Sequence, residues 1–178
     1  MKPLREFDIP FVGLTPGVHS FEYQITDSFF ENYGEQDFKD CQATIKLEFD
    51  KKSNFFMLKF EIGGKATVNC DRCGEPFELR LWDDFNLVVK LVENPEEMSN
   101  DEDPDVAYIS KTESHLSVAD WIYEFINLSI PMQHIHPDLP DGKSGCDPKV
   151  LEMLAKMGQQ EEEKTNPIWK GLDKFKNN

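Results

Sequence analysis

Hydrophobic and polar residues alternate along much of the first 110 residues of this 178-residue chain. A spacing of two is typical of a β-strand that buries one of its faces. The segments that show this spacing, and so predict strands, are residues 7–11, 18–25, 41–49, 55–62, 64–69 and 76–92. Turn residues separate several of them, including the pair Gly63-Gly64. The pattern predicts a mostly antiparallel sheet.

Helical periodicity begins only after these strands. Apolar residues within 118–126 recur at i, i+3, i+4, i+7 and i+8, which is one face of a helix that Pro131 stops. A second helix is predicted by its punctuation, with Asp147 as N-cap, Pro148 at the first helical position and Gly158 just past the end.

Together these elements predict an α+β fold, a mostly antiparallel β body followed by two main helices. One domain is expected over residues 1–158, β-rich over 1–110 and helical over 115–158. Residues 159–178 are expected to form a charged linker and a tail with a short C-terminal helix.

The composition supports a folded, acidic protein. Hydrophobic residues make up 39% of the chain and include 14 Phe, enough for a core, while the formal net charge is −15. Residues 93–105 carry seven acids and no base, and they predict a solvated loop. Because the negative charge of the protein repels phosphate, basic proteins are favoured as partners over nucleic acid. Without an apolar run of membrane-spanning or signal-peptide length, the expected location is the cytoplasm, with no membrane partner.

The pair Cys70-x-x-Cys73, followed at once by Gly74, is the strongest chemical motif. Two thiols at this spacing can hold one metal ion from a tight turn, and glycine accepts the positive φ that such a turn needs. Two further ligands are available at His136 and Cys146, so the sequence predicts a zinc site of three Cys and one His. Four protein ligands would make this zinc structural, with no position left for a substrate.

Other interpretations of the motif remain open. A redox dithiol usually precedes a helix, whereas strand patterns flank this one on both sides. The thiols could also be unliganded, or His134 could replace His136 as the ligand. A metal held by only three protein groups would instead favour an enzyme that uses metal-bound water. We find no glycine-rich phosphate loop, nucleophile elbow or zinc-protease motif.

The motif also carries a resemblance. The run from Cys70 to Phe77, Cys-Asp-Arg-Cys-Gly-Glu-Pro-Phe, resembles the Cys-x-Arg-Cys-x-Glu-x-Phe motif of the YceD family, the large ribosomal RNA subunit accumulation proteins. His136 falls five residues after Pro131, where members of that family commonly carry a Cys or His, and Cys146 matches a further Cys that many members carry. Three further segments are similar to family patterns: Gly17 to Phe21, Asp120 to Pro131 and Asn166 to Leu172.

The resemblance implies a non-enzymatic factor that supports accumulation of 23S ribosomal RNA and hence biogenesis of the large ribosomal subunit. Its expected partner is the large-subunit precursor, reached through basic ribosomal proteins, with no small-molecule substrate. Any weak RNA contact is expected from Arg72 or from the basic tail residues Lys170, Lys174 and Lys176. A zinc-stabilised protein–protein interaction module unrelated to ribosomes is the alternative.

Overall fold

The structure is a computed structural model that describes residues 4–98 and 103–163. The strands are β1 (Asp8–Ile9), β2 (Gly17–Thr26), β3 (Phe38–Lys51), β4 (Phe55–Asn69), β5 (Pro76–Val92), β6 (Val106–Ser110) and β7 (Leu116–Ser117). The helices are α1 (Asp27–Phe30), α2 (Ala119–Leu128) and α3 (Pro148–Glu163), with short 3-10 turns at Arg5–Phe7, Phe11–Gly13 and Pro95–Met98. Strands thus precede the two main helices, and the predicted α+β fold is confirmed.

The main sheet has five strands in the order β2-β3-β4-β5-β6. β2, β3 and β4 pair antiparallel, whereas β6 lies parallel to β5. The sheet is therefore mixed, with its one described parallel pairing between β5 and β6. β1 and β7 form a separate two-stranded pair.

The core lies on one face of this sheet. In β3 the side chains of Ile45, Leu47 and Phe49 are buried, while the intervening residues are exposed or half-buried, as period two requires. α2 covers this face, since Phe125 stacks on Phe85 of β5 with ring centroids 4.4 Å apart. Aromatic packing thus fixes α2 on the sheet.

At Gly63-Gly64 the predicted turn is wrong, because β4 runs unbroken through both residues. A Cβ on Gly64 would lie 2.6 Å from the Cα of Ala43 in the neighbouring strand, closer than packed atoms approach. Glycine is needed here for the close contact between strands, and a turn is not formed. Next to Gly63 there is open space.

A β-bulge in β3 accompanies this close approach. The register between β3 and β4 shifts between Lys39 and Gln42, and Asp40 takes a φ of 51°. The carboxylate of Asp27 accepts hydrogen bonds from the backbone N–H groups of Asp40 and Cys41, at 3.0 and 2.8 Å. α1 therefore stabilises the bulge through its first residue.

The start of α3 agrees with its predicted punctuation, but its end does not. The Lys149 N–H donates to Asp147 Oδ1 at 2.9 Å, so Asp147 caps the helix as expected. The helix then continues through Gly158 to Glu163, since glycine inside a helix costs only about 1 kcal/mol. The predicted tail helix lies outside the described residues.

The backbone divides into two compact units. One, the β unit, comprises Met1–Val68 and Glu78–Met132, and the other, the knuckle unit, comprises Asn69–Phe77 and Gln133–Asn178. The boundary of a single domain at residue 158 stays a prediction. None of the described helices has the length and apolar character that a bilayer crossing requires.

Candidate metal centre

The first pair of cysteines lies in a tight turn between β4 and β5. The Cys70 N–H donates to the carbonyl of Glu75 at 2.9 Å, and the Gly74 N–H donates back to the carbonyl of Cys70 at 2.8 Å. Gly74 has a φ of +77°, as its place after the second cysteine predicted. This turn places the thiols of Cys70 and Cys73 so that both can bind one metal ion.

The loop that carries His136 is bonded to this turn through Asp71. The Asp71 N–H donates to the carbonyl of His134 at 2.7 Å, and the His134 N–H donates to Asp71 Oδ2 at 2.6 Å. The Phe77 ring packs on the imidazole of His136, with centroids 4.6 Å apart. These contacts fix the position of the His136 ring.

Cys146 lies beside the other three residues because Gly145 allows the backbone to pass close to the His136 segment. A Cβ on Gly145 would lie 2.5 Å from the carbonyl oxygen of Pro137 and 3.2 Å from the Cβ of His136. The Cys146 N–H then donates to Ser144 Oγ at 3.2 Å, one residue before the cap of α3. Only glycine fits at position 145 without moving the His136 segment.

The ligand atoms of Cys70, Cys73, His136 and Cys146 all lie within 4.8 Å of one another. The Sγ atoms of Cys70 and Cys146 are 3.7 Å apart, and Cys73 Sγ is 3.4 Å from His136 Nδ1. Tetrahedral zinc, with bonds of about 2.3 Å to sulfur and about 2.0 Å to nitrogen, requires edges of about 3.8 and about 3.6 Å. These two distances are close to those edges, and the donor set is one that zinc uses, so the cluster can hold a metal ion.

The thiols of the cluster differ electrostatically. Burial raises the pKa of Cys70, but hydrogen bonds from the backbone N–H groups of Cys73 and His136 outweigh it and lower the pKa to about 5. The Ser144 hydroxyl lowers the pKa of Cys146, yet burial and the neighbouring Cys70 sulfur raise it overall. Two sulfurs this close ionise together only at high cost unless a cation lies beside them.

Two further residues considered from the sequence lie outside the cluster. His134 is half-buried, with Nε2 lacking a hydrogen-bond partner, but among the described residues the metal-binding group contains His136 in its place. Cys41 is buried in the β unit, where burial and then the charge of Asp27 raise the pKa of its thiol to about 12. Cys41 is a neutral core residue.

Sequence reasoning missed the residues that position the ligands. Asp71 and Gly145 make contacts with segments far away in sequence, and neither lies in a periodic pattern. Their one visible signal is adjacency, since Asp71 directly follows Cys70 and Gly145 directly precedes Cys146. Small or hydrogen-bonding neighbours of metal ligands commonly orient them.

One of three comparisons with known proteins finds a match. No curated protein and no solved structure matches the chain. A family described as "Large ribosomal RNA subunit accumulation protein YceD" matches residues 58–176. That match covers about two thirds of the chain and includes all four residues of the cluster. The chain therefore belongs to the YceD family.

Proposed function

We propose that this protein is a non-enzymatic factor that supports accumulation of 23S ribosomal RNA and biogenesis of the large ribosomal subunit. Membership of the YceD family is the observation that carries the proposal. The protein is expected to act in the cytoplasm, through contacts with the large-subunit precursor.

One structural zinc ion is part of this proposal, held by Cys70, Cys73, His136 and Cys146. The support is the donor set and its spacing, with the four ligand atoms mutually within 4.8 Å. Three thiolates and one imidazole complete a tetrahedron, so the ion joins the Cys70–Cys73 turn to the loop before α3 and offers no open position for chemistry.

The charge of the protein supports contacts with basic proteins over contacts with RNA. At −15, the net charge opposes tight binding to an RNA duplex by the main body. Arg72 is exposed at the tip of the turn and is available for a local phosphate contact. The tail residues Lys170, Lys174 and Lys176 lie outside the described residues and are the other proposed RNA contact.

The function is tested in a strain in which the protein can be depleted. We expect 23S precursors to accumulate, mature 23S RNA to fall and large-subunit particles to decrease on a sucrose gradient, with 16S RNA unaffected at first. The protein should co-sediment with large-subunit precursors. Unchanged 23S RNA together with sedimentation only as free protein would contradict the proposal and favour the interaction module unrelated to ribosomes.

The division of RNA contacts is tested by gel-shift assays with 23S fragments. We expect weak binding that is lost when Arg72 and the three tail lysines are replaced by alanine in the full chain. Strong binding that survives these replacements would show that the acidic body itself binds RNA.

A further inference from the structure

β2 forms one edge of the five-stranded sheet and is ten residues long, whereas β6 at the other edge has five. Within the described ranges, no backbone group is hydrogen-bonded to the outer side of β2. Native sheets seldom leave so long an edge uncovered, because its free N–H and C=O groups attract other strands. This edge is a place where a partner strand can add.

The hairpin between β3 and β4 shows which backbone groups are free. The Lys52 N–H donates to the carbonyl of Phe55 at 3.0 Å, so these residues form a hydrogen-bonded pair. In antiparallel strands such pairs alternate with non-bonded ones. Between the bulge and the hairpin, even-numbered residues of β3 therefore bond to β4, and odd-numbered residues of β3 bond to β2.

The register of β2 carries this alternation to the sheet edge. Phe21 lies opposite Leu47, and Tyr23 lies opposite Ile45. Phe21 and Tyr23 therefore use their backbone groups on β3. The backbone N–H and C=O groups of Glu22 and Gln24, by contrast, point away from the sheet. They are available to pair with an added strand.

A groove of about 440 Å³ lies along this part of the edge, between residues 6–9 and residues 21–24. Phe7 and Tyr23 form part of its lining, with stacked rings 5.2 Å apart. The charged residues that line it are Glu6, Asp8 and Glu22, and none of its lining residues is basic. Four residues of strand span about 13 Å, so the groove matches a short extended segment with positive side chains.

We propose that this β2 edge groove binds an extended, lysine- or arginine-rich segment of a partner protein, which pairs with β2 as an additional strand. The backbone of the segment bonds to Glu22 and Gln24, and its basic side chains face the three carboxylates. A second copy of β2 is a poorer occupant, because it contains no Lys or Arg and its one acid, a second Glu22, would add a carboxylate to this acidic groove.

The inference rests on the proposed function only for the origin of the segment, a basic protein of the large-subunit precursor. Peptide binding in vitro requires no ribosome, so it can fail while the depletion result stands, and the reverse also holds.

The test uses the full zinc-loaded chain and a fluorescein-labelled octapeptide of alternating Lys and Thr. We expect saturable binding in an anisotropy titration that weakens steeply as salt is raised, and no binding of the same peptide with Glu in place of Lys. Peptide-induced amide shifts in NMR spectra should centre on residues 20–24.

A matched pair of variants separates backbone pairing from side-chain contact. Gln24→Pro removes the outward N–H without removing a bond to β3, and we expect affinity to fall about tenfold. Gln24→Ala loses the same side chain but keeps the N–H, so affinity should stay within about twofold. Glu22→Gln should weaken binding and reduce its salt dependence.

N-methylation of alternate peptide residues gives a second test on the unmodified protein. One methylation register should abolish binding and the other should leave it nearly unchanged. The proposal would be overturned if no binding were seen up to about 1 mM peptide, or if β2 mediated self-association in place of peptide binding. It would also be overturned by equal affinities for Gln24→Pro and Gln24→Ala, by equal effects of both methylation registers, or by NMR shifts confined to another surface.

Discussion

The two units differ in what holds them together. The β unit buries Phe, Ile, Leu and Val side chains along every long strand and α2, whereas the described residues of the knuckle unit bury only Cys70 and Cys146. In α3, Met153, Leu154 and Met157 are exposed. A segment without an apolar core needs another source of stability, and metal ligation is one such source. We therefore expect side-chain packing to stabilise the β unit, and metal ligation by the proposed site to stabilise the knuckle unit.

Metal removal is expected to produce the largest difference between the two units. With a zinc chelator, or in Cys146→Ser, we expect residues 69–77 and 133–158 to lose hydrogen-exchange protection while the long strands keep theirs. Structural zinc contributes about 10–16 kcal/mol in small zinc-folded peptides, so the loss should amount to local unfolding. Exchange mass spectrometry measures the protection, and elemental analysis should find one zinc per untreated chain.

Cys41→Ser is the control for metal removal, since Cys41 lies in the β unit and outside the cluster. It should retain zinc and keep the protection of residues 133–158. Protection of those residues that is indifferent to the chelator would show that the knuckle unit folds without metal.

Gly145→Ala tests whether the close contact at Gly145 is needed for metal binding by the knuckle unit. The added Cβ would meet the Pro137 carbonyl oxygen at 2.5 Å and push the His136 segment away. We expect zinc affinity to fall by on the order of tenfold or more, measured by competition with a chromogenic chelator. Gly158→Ala is the matched control, because nothing lies within 4 Å and alanine favours the helix. Wild-type zinc affinity in Gly145→Ala would mean that the loop has room to adjust.

Gly64→Ala probes the β unit in the same way. Its Cβ would overlap the Ala43 backbone, and we expect a loss of about 1–3 kcal/mol in unfolding free energy with unchanged zinc affinity. Gly63→Ala, where the space is open, should lose much less. Urea unfolding of the two variants checks the difference, and equal destabilisation would refute the role given to the close contact.

Alkaline pH should produce the smallest effect, through Cys41. Burial raises the pKa of this thiol from 9.0 to about 12, so its contribution to stability is complete below pH 9.0 and is lost as pH rises toward 12. Cys41→Ala should therefore make the β unit less sensitive to a change from about pH 8 to about pH 11. Thermal unfolding at the two pH values measures this; a variant with the same alkaline slope as wild type would exclude Cys41 as a contributor.

Local patterns predicted much of the molecule. Period-two alternation found β2 and β3 to within a few residues, Asp147-Pro148 marked the start of α3, and Gly74 showed the positive φ of the turn. Each of these features depends on neighbours in sequence. The cysteine spacing and the family resemblance together selected the four residues that the structure brings into one cluster.

Long-range backbone contacts were beyond that reasoning. The sequence indicates a turn at Gly64, because a glycine in a turn and a glycine that allows a close neighbouring strand look alike in sequence. Only the contact with Ala43, some twenty residues earlier, distinguishes them. The role of Gly145 is not visible in the sequence either, because its close contact is with Pro137 and His136 across a loop. The parallel pairing of β6 with β5 is likewise not encoded in periodicity, because alternation predicts a strand and not the direction in which it pairs.

The separation of the ligands along the chain has a consequence during protein synthesis. Cys70 and Cys146 are 76 residues apart, so at about 5–20 residues per second Cys70 and Cys73 leave a translating ribosome about 4 to 15 seconds before Cys146. In that interval the nascent chain has only two of the four proposed ligands, and we expect any zinc bound to them to exchange readily. If the proposed zinc site forms, the set of four ligands is complete only after Cys146 emerges, so tight binding of zinc would show that synthesis has passed the start of α3.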